Sequence, residues 1–427
     1  MVDSQLEKFT LNRQFLAALI PCIAISILTV FNITGTVRIA ALLVCLLPYI
    51  VVDENHQLLT LLFFVGFAAD INIFFAGIPY ITVLQLFFVL KSFVNTRIAN
   101  KTVVLYLILI VLTQVYAVLC CNQSLINLVT FILNFLIMLV IGSNIIVERE
   151  MYLKYCAIFV AGILVVLVAS IVRDPAFFSG TYYRFKGIWT DQNFLAMFCA
   201  LAFVLLYYWT ERKVKNMIIA APACLGLIYC AYRTYSMTFI FAAVMIVVVL
   251  MLDLFQAKVH LVYKAIGIIG IIILAYFFYE NIYLGIVEGR GREVYVAGTD
   301  WTHGRTRDTF IVLDAWAENL GNLFFGIGVS NSGSYTGFAA HNTYVEILAQ
   351  FGIVGTLITL AGIIFFLFRY QVSIKMILDI KAGYVFILLL YMGTLSMQST
   401  DVVFLLLGLM VNLILNPENG GSVWAEE

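Results

Sequence analysis

The stretch AAHNTYVEILAQFGIVG, residues 339–355, begins as a polar loop and ends as an apolar run. It sets His341 beside Asn342 at the entry to that run, with Glu346 about one helical turn further on. A neutral imidazole, with an ordinary pKa of about 6.5, can take a proton from a reacting hydroxyl at working pH. Asn342 and Glu346 are four residues apart and share a helix face. The amide can orient the imidazole or a ligand; the carboxylate can fix the imidazole tautomer or bond a neighbouring helix. The same pair also reads as an ordinary helix start, since Asn is a good N-cap.

Two other polar stretches carry arginine. "DPAFFSGTYYRFKGIWTDQNFLA" (174–196) holds Arg184, Lys186 and Asn193, and "GRGREVYVAGTDWTHGRTRDTF" (289–310) holds Arg292, Arg305 and Arg307. Arginine offers a planar fork that grips phosphate or carboxylate bidentately. The alternative is a self-satisfied loop in which these arginines pair with Glu288, Glu293, Asp300 and Asp308. Tyr182, Tyr183 and Trp189 beside polar amides suit a sugar, but tyrosine and tryptophan are also routine anchors at the membrane interface. His303, two residues before Arg305, is a second candidate base.

The elements that must position these residues are apolar. The chain is 63% hydrophobic and 11% charged, with mean hydropathy +1.03; soluble domains are about half apolar and a quarter charged. Apolar runs have the length needed to cross a bilayer as helices. Hydropathy marks spans from 15–34 to 401–416, among them the short 39–52 and 79–95, and predicts 12–14 helices. The opening MVDSQLEKFTLNRQ lacks the pattern of a cleaved signal peptide, so the first span is expected to serve as its own insertion signal. Formal net charge is zero and excludes nothing. With the N-terminus in the cytoplasm, the inner loops hold most of the lysines and arginines, as the positive-inside rule requires. The other loops hold Arg38, Arg173, Arg184, Arg233, Arg290, Arg292, Arg305 and Arg307, with Lys186 as the one lysine. Topology works against such a set, so an anionic partner on the outer face is the simplest reason for it.

One connection is long. The spacing divides the chain into a transmembrane bundle (1–279, with a small outer loop near 174–191), a large outer loop (280–342), and C-terminal helices with a short tail (343–427). Long loops on rigid scaffolds are usually functional or disordered. Within this one, "TRDTFIVLDAWAENLG" (306–321) reads as a helix with Phe310, Leu313, Trp316 or Ala317, and Leu320 at helical spacing, closed by Gly321. The eight cysteines mostly lie in apolar runs and have no metal-ligand spacing. No Asp-x-Asp or carboxylate cluster marks the outer loops, so no divalent metal and no cofactor is expected. His56 and His260 fall on the cytoplasmic side. Asp70 is the clearest ionisable residue within a span, which matters for a transporter reading, because transporters concentrate such residues at mid-membrane.

Taken in order, "RFKGIWTDQNFLA", "GRTRDTFIVLDAW…NLFFGIGVSNS" and "HNTYVEILAQFGIVG" resemble the O-antigen ligase and polysaccharide polymerase superfamily of integral membrane glycosyltransferases. The matching residues are Arg184, Gly187 and Asn193; Gly304, Arg305 and Trp316; Phe325, Gly326 and Gly328; and His341, Asn342, Glu346 and Gly352. One departure stands out. Family members often carry a Ser-Arg pair early in the helix between the two loops, whereas Ser236 is followed here by Met237, with Arg233 the nearest arginine.

The resemblance implies an all-α, GT-C-like polytopic fold in a bacterial cytoplasmic membrane, both termini inside. It implies transfer of a glycan from an undecaprenyl-diphosphate-linked saccharide donor to a glycan acceptor on the outer face, without a cofactor. Partners would be the bilayer and a chain-length regulator or flippase of the same pathway; nucleic acid is not expected. In this reading His341 is the base, and Arg305 and Arg184 stabilise the leaving diphosphate. Asn193, Arg307, Arg292, Lys186, Asn342, Glu346 and Trp316 bind substrate. Polymerase is favoured over ligase because a lipid A-core ligase needs an outer membrane. A lipid-sugar transporter is the competing class, and the polar chemistry gathered at one face argues against it.

Overall fold

The computed structural model describes residues 2–67, 79–95, 101–145, 147–174, 177, 184–189, 191–256, 261–297, 304–397 and 400–416. Every regular element among them is a helix. Seven of these helices are long and apolar enough to cross a membrane, and four shorter apolar helices accompany them. The chain is therefore an all-α, multi-pass membrane protein. Among the described residues the seven are fewer than the 12–14 spans that hydropathy predicts; the apolar helices Gly35–Val51, Tyr80–Val94, Val104–Cys120 and Asp401–Leu415 are shorter.

Two compact units divide the chain, Met1–Arg97 with Asn144–Thr234, and Ile98–Ser143 with Tyr235–Glu427. In the first, Glu54–Phe64 packs on Arg149–Arg173. A Cβ on Gly162 would come 2.4 Å from the Phe63 carbonyl oxygen. Small residues let membrane helices approach this closely, where water supplies no hydrophobic drive between them. Gln192–Thr210 is the most buried of the seven spans. Asp191 caps it by accepting from the Asn193 N–H at 2.7 Å, so the polar run before the span serves as a helix start.

In the second unit the helices Leu125–Asn144 and Asp401–Leu415 meet through Gly142 and Gly408. Its organising element is Thr343–Arg369. That helix is broken at Gly352, where φ is 63° and ψ is −173°. Only glycine adopts this conformation readily. The long connection before it folds into the short helices Leu284–Ala297, Arg305–Ala317, Leu320–Phe325 and Ser332–Thr336.

The single helix expected over 306–321 is two. The first ends at Ala317, and Asn319 caps the second by accepting from the Asn322 N–H. Gly321 lies inside that second helix and closes none. A Cβ there would fall 2.2 Å from the Tyr116 hydroxyl, so glycine is needed for packing. The expected apolar face also shifts. Val312 is fully buried, while Phe310 and Leu320 are exposed.

Candidate active site

In the second unit the broken helix presents its first turn to the loop that carries His341. Asn342 is its N-cap, with the side-chain oxygen accepting from the N–H groups of Tyr344 (3.0 Å) and Val345 (3.3 Å). The helix-start reading of Asn342 therefore holds, with its side-chain oxygen committed to the helix. His341 sits one residue earlier with φ 52°, in the left-handed region. A non-glycine residue there costs roughly 1–2 kcal/mol, which the surroundings must offset.

They do so through Ala340. Its N–H donates to Glu346 Oε1 at 2.7 Å, and its carbonyl accepts from Thr309 Oγ1 at 2.9 Å. Glu346 is 1% exposed. It also accepts from Ser396 at 3.1 Å, and from Ser332 and Gln350. Four donors use up the carboxylate's acceptor sites. Glu346 is thus a buried clamp on Ala340, with all four of its acceptor sites engaged.

Arg305 opens the helix Arg305–Ala317 behind Gly304, whose φ of 79° makes the turn. Its guanidinium donates to the Thr394 carbonyl at 3.2 Å. Arg307 is exposed, bonds Asp308 at 3.2 Å and lies 5.2 Å over the Phe338 ring. It follows the self-satisfied pattern. Trp316 gives its indole N–H to Leu323 at 3.1 Å and packs on the cluster of Val312, Ile327, Ala340 and Ala349. That makes it a support for the loop before His341.

The glycine-rich turn 326–331 threads against the break. Ile327 and Gly328 donate to the carbonyls of Ala349 and Gln350, at 2.9 and 3.1 Å. Buried backbone outside a helix needs such partners for its N–H and C=O groups. Gln114 completes the work, accepting from Val329 N–H at 2.8 Å. Gln350 accepts from Ser330 N–H at 2.8 Å. Gly326 and Gly352 lie backbone to backbone: a Cβ on Gly326 would meet the Gln350 oxygen at 2.3 Å, and one on Gly352 the Phe324 oxygen at 2.4 Å. Nearby, Tyr335 donates to Glu318 at 2.9 Å and bonds Asn322. The Asn322 bond lowers its phenol pKa, but burial and the Glu318 carboxylate outweigh it and raise the value.

The first unit holds its own basic cluster. Arg184 Nε donates to the Thr234 carbonyl at 3.2 Å, and Phe185 N–H to the Arg233 carbonyl at 2.9 Å. These bonds bring the loop bearing Arg184 to the end of the helix Val214–Arg233. Arg233 lies 5.4 Å over Phe177, and its Nε and Nη2 are buried with no acceptor among the described residues. Gly187 (φ 60°) makes the turn against Ser170. Lys186 is exposed, whereas Asn193 is buried and donates its amide to Asp191 at 2.8 Å. Trp189 is buried against Phe198, so it is no surface platform for a sugar ring. His56 is buried against Asp53 at 2.8 Å. Asp70, Tyr182, Tyr183, His260 and His303, and the side chain of Arg292, lie outside the described residues.

Sequence reasoning passed over Thr309, Gln114, Ser332, Gln350, Thr394 and Ser396. None belongs to a periodic or charged pattern, and each matters only for the partner it meets. Residues 222–360 match the family described as O-antigen ligase, and no curated protein matches the chain.

Proposed function

We propose that the chain, whose residues 222–360 match the O-antigen ligase family, polymerises undecaprenyl-diphosphate-linked oligosaccharide repeats on the outer side of a bacterial cytoplasmic membrane. The observation that carries this reading is the arrangement in the second unit. Arg305, a cationic fork, opens the helix whose Thr309 holds the Ala340 carbonyl, and Ala340 directly precedes the candidate base His341.

The chemistry is a direct displacement. The acceptor hydroxyl oxygen forms a bond to the anomeric carbon as the bond from that carbon to the diphosphate oxygen breaks. The diphosphate leaves with the electron pair, and His341 takes the hydroxyl proton. A positioned base of this kind typically contributes about 10²–10⁴ in rate. Arg305 offsets the charge that builds on the diphosphate. Each charge-assisted hydrogen bond is worth ~1.5–3 kcal/mol, about 10–10² in rate if expressed only in the transition state. One displacement inverts the anomeric centre. Arginines suffice for the leaving group, so EDTA should leave the rate unchanged. In the first unit, Arg184 and the buried, acceptor-less N–H groups of Arg233 are a second place to hold an anionic group, and support the same reading.

The ligase reaction uses the same parts with a different acceptor, and the description of the matching family favours it as the second reading. The test is the lipid-linked and surface glycan profile of a strain lacking the gene. Single lipid-linked repeats without long chains support polymerisation. Long lipid-linked chains that never reach a final acceptor support ligation. An unchanged profile removes both.

A further inference from the structure

We infer that Thr309 and Glu346 are positioning residues that hold His341 in its reactive orientation by gripping the preceding residue, Ala340, through the peptide groups on its two sides; this rests on His341 being the base. The Ala340 carbonyl that Thr309 holds belongs to the same rigid peptide plane as the His341 N–H. That plane is one of the two references that define φ at His341. The other side of His341 is fixed by the Asn342 cap, whose carbonyl also accepts from the Glu346 N–H at 3.0 Å. Glu346 holds the Ala340 N–H. With both neighbours locked, the imidazole's Cα–Cβ direction is held in a left-handed conformation that the residue would not choose by itself.

The clamp also links the base to the cation. Arg305 and Thr309 lie four residues apart on one helix, hence on the same face. Arg305 bonds Thr394; two residues on, Ser396 bonds Glu346; Glu346 bonds Ala340; and Ala340 bonds Thr309. These contacts close a ring back to the helix of Arg305. A hydroxyl at 309 therefore sets the separation of arginine and histidine, and a shift of 1 Å in such a pair can cost about 10² in rate.

The experiment uses the full chain in lipid nanodiscs, with undecaprenyl-diphosphate-linked repeats isolated from a strain lacking the gene as the probe. Thr309→Val keeps the shape and removes the hydroxyl. It should lower kcat at least ten-fold with KM within two-fold of wild type, and Thr309→Ser should restore most of the loss. Glu346→Gln keeps one acceptor for Ala340 and should fall between Thr309→Val and wild type. Thr309→Ala, which adds no bulk, serves if the valine variant is poorly produced. Wild-type kcat in a well-folded Thr309→Val or Thr309→Ala protein, alongside an inactive His341→Ala, overturns the inference and leaves the base assignment standing. Full activity in His341→Ala as well overturns the functional reading itself.

Discussion

Two polar regions of this membrane protein treat their hydrogen-bonding groups in opposite ways. Around Glu346 a buried carboxylate has four donors, and the glutamines at 114 and 350 take up the N–H groups of Val329 and Ser330. At the end of the helix Val214–Arg233, buried guanidinium N–H groups of Arg233 have no acceptor among the described residues. A buried polar group left unsatisfied costs about 1–3 kcal/mol, so the two regions have different uses. The Glu346 carboxylate, its acceptor sites filled, holds a backbone shape even though Ser330 Oγ and Gln123 Oε1 nearby have no partner among the described residues; the Arg233 guanidinium has capacity for an anion. Substitutions in the first should damage stability; those in the second should damage binding and leave stability alone.

The largest effect tests the satisfied side. Gly352→Ala forces a Cβ into the Phe324 carbonyl at a backbone angle closed to alanine, and combines strain with overpacking of about 3–5 kcal/mol. Membrane abundance measured by immunoblot should collapse; normal abundance would mean that the break is not needed. Gln350→Leu leaves the Ser330 N–H and the Glu346 carboxylate each short of a partner. It should cost about 2–4 kcal/mol, read as a lower melting temperature in detergent. On the other side, Arg233→Gln removes the charge but keeps a polar side chain. We expect KM for the lipid-linked donor to rise about ten-fold, which is ~1.4 kcal/mol, with melting unchanged. A loss of stability with unchanged KM would reverse the contrast. The smallest effect is Asn342→Ala, which removes a helix cap worth about 1 kcal/mol and should shift melting slightly while transfer continues at a reduced rate.

Much of this was legible in the residues. The all-α membrane class follows from composition and run length, and the helix starts at Asp191 and Asn342 follow from capping chemistry. The matching glycines pointed to the right places but not to their purpose. Gly326 and Gly352 are 26 residues apart in the chain, yet each excludes a Cβ from the other's backbone, and no periodicity reports that. Gly321 looked like a helix terminator because glycine often is one; here Tyr116, more than two hundred residues earlier, dictates it. Phe310 keeps helical spacing yet is exposed, and Leu320 opens a separate helix and is exposed too. Thr309 and Ser396 were invisible. A single hydroxyl acquires meaning only from the carbonyl or carboxylate it meets. A sequence shows the Glu346 carboxylate but not the four donors that fill it.

The most direct measurement is to restore the deletion strain with His341→Ala and follow its glycans, with protein abundance measured alongside. At wild-type abundance, the base assignment predicts that single lipid-linked repeats accumulate and no long chains form. A normal chain-length distribution from that variant would contradict it.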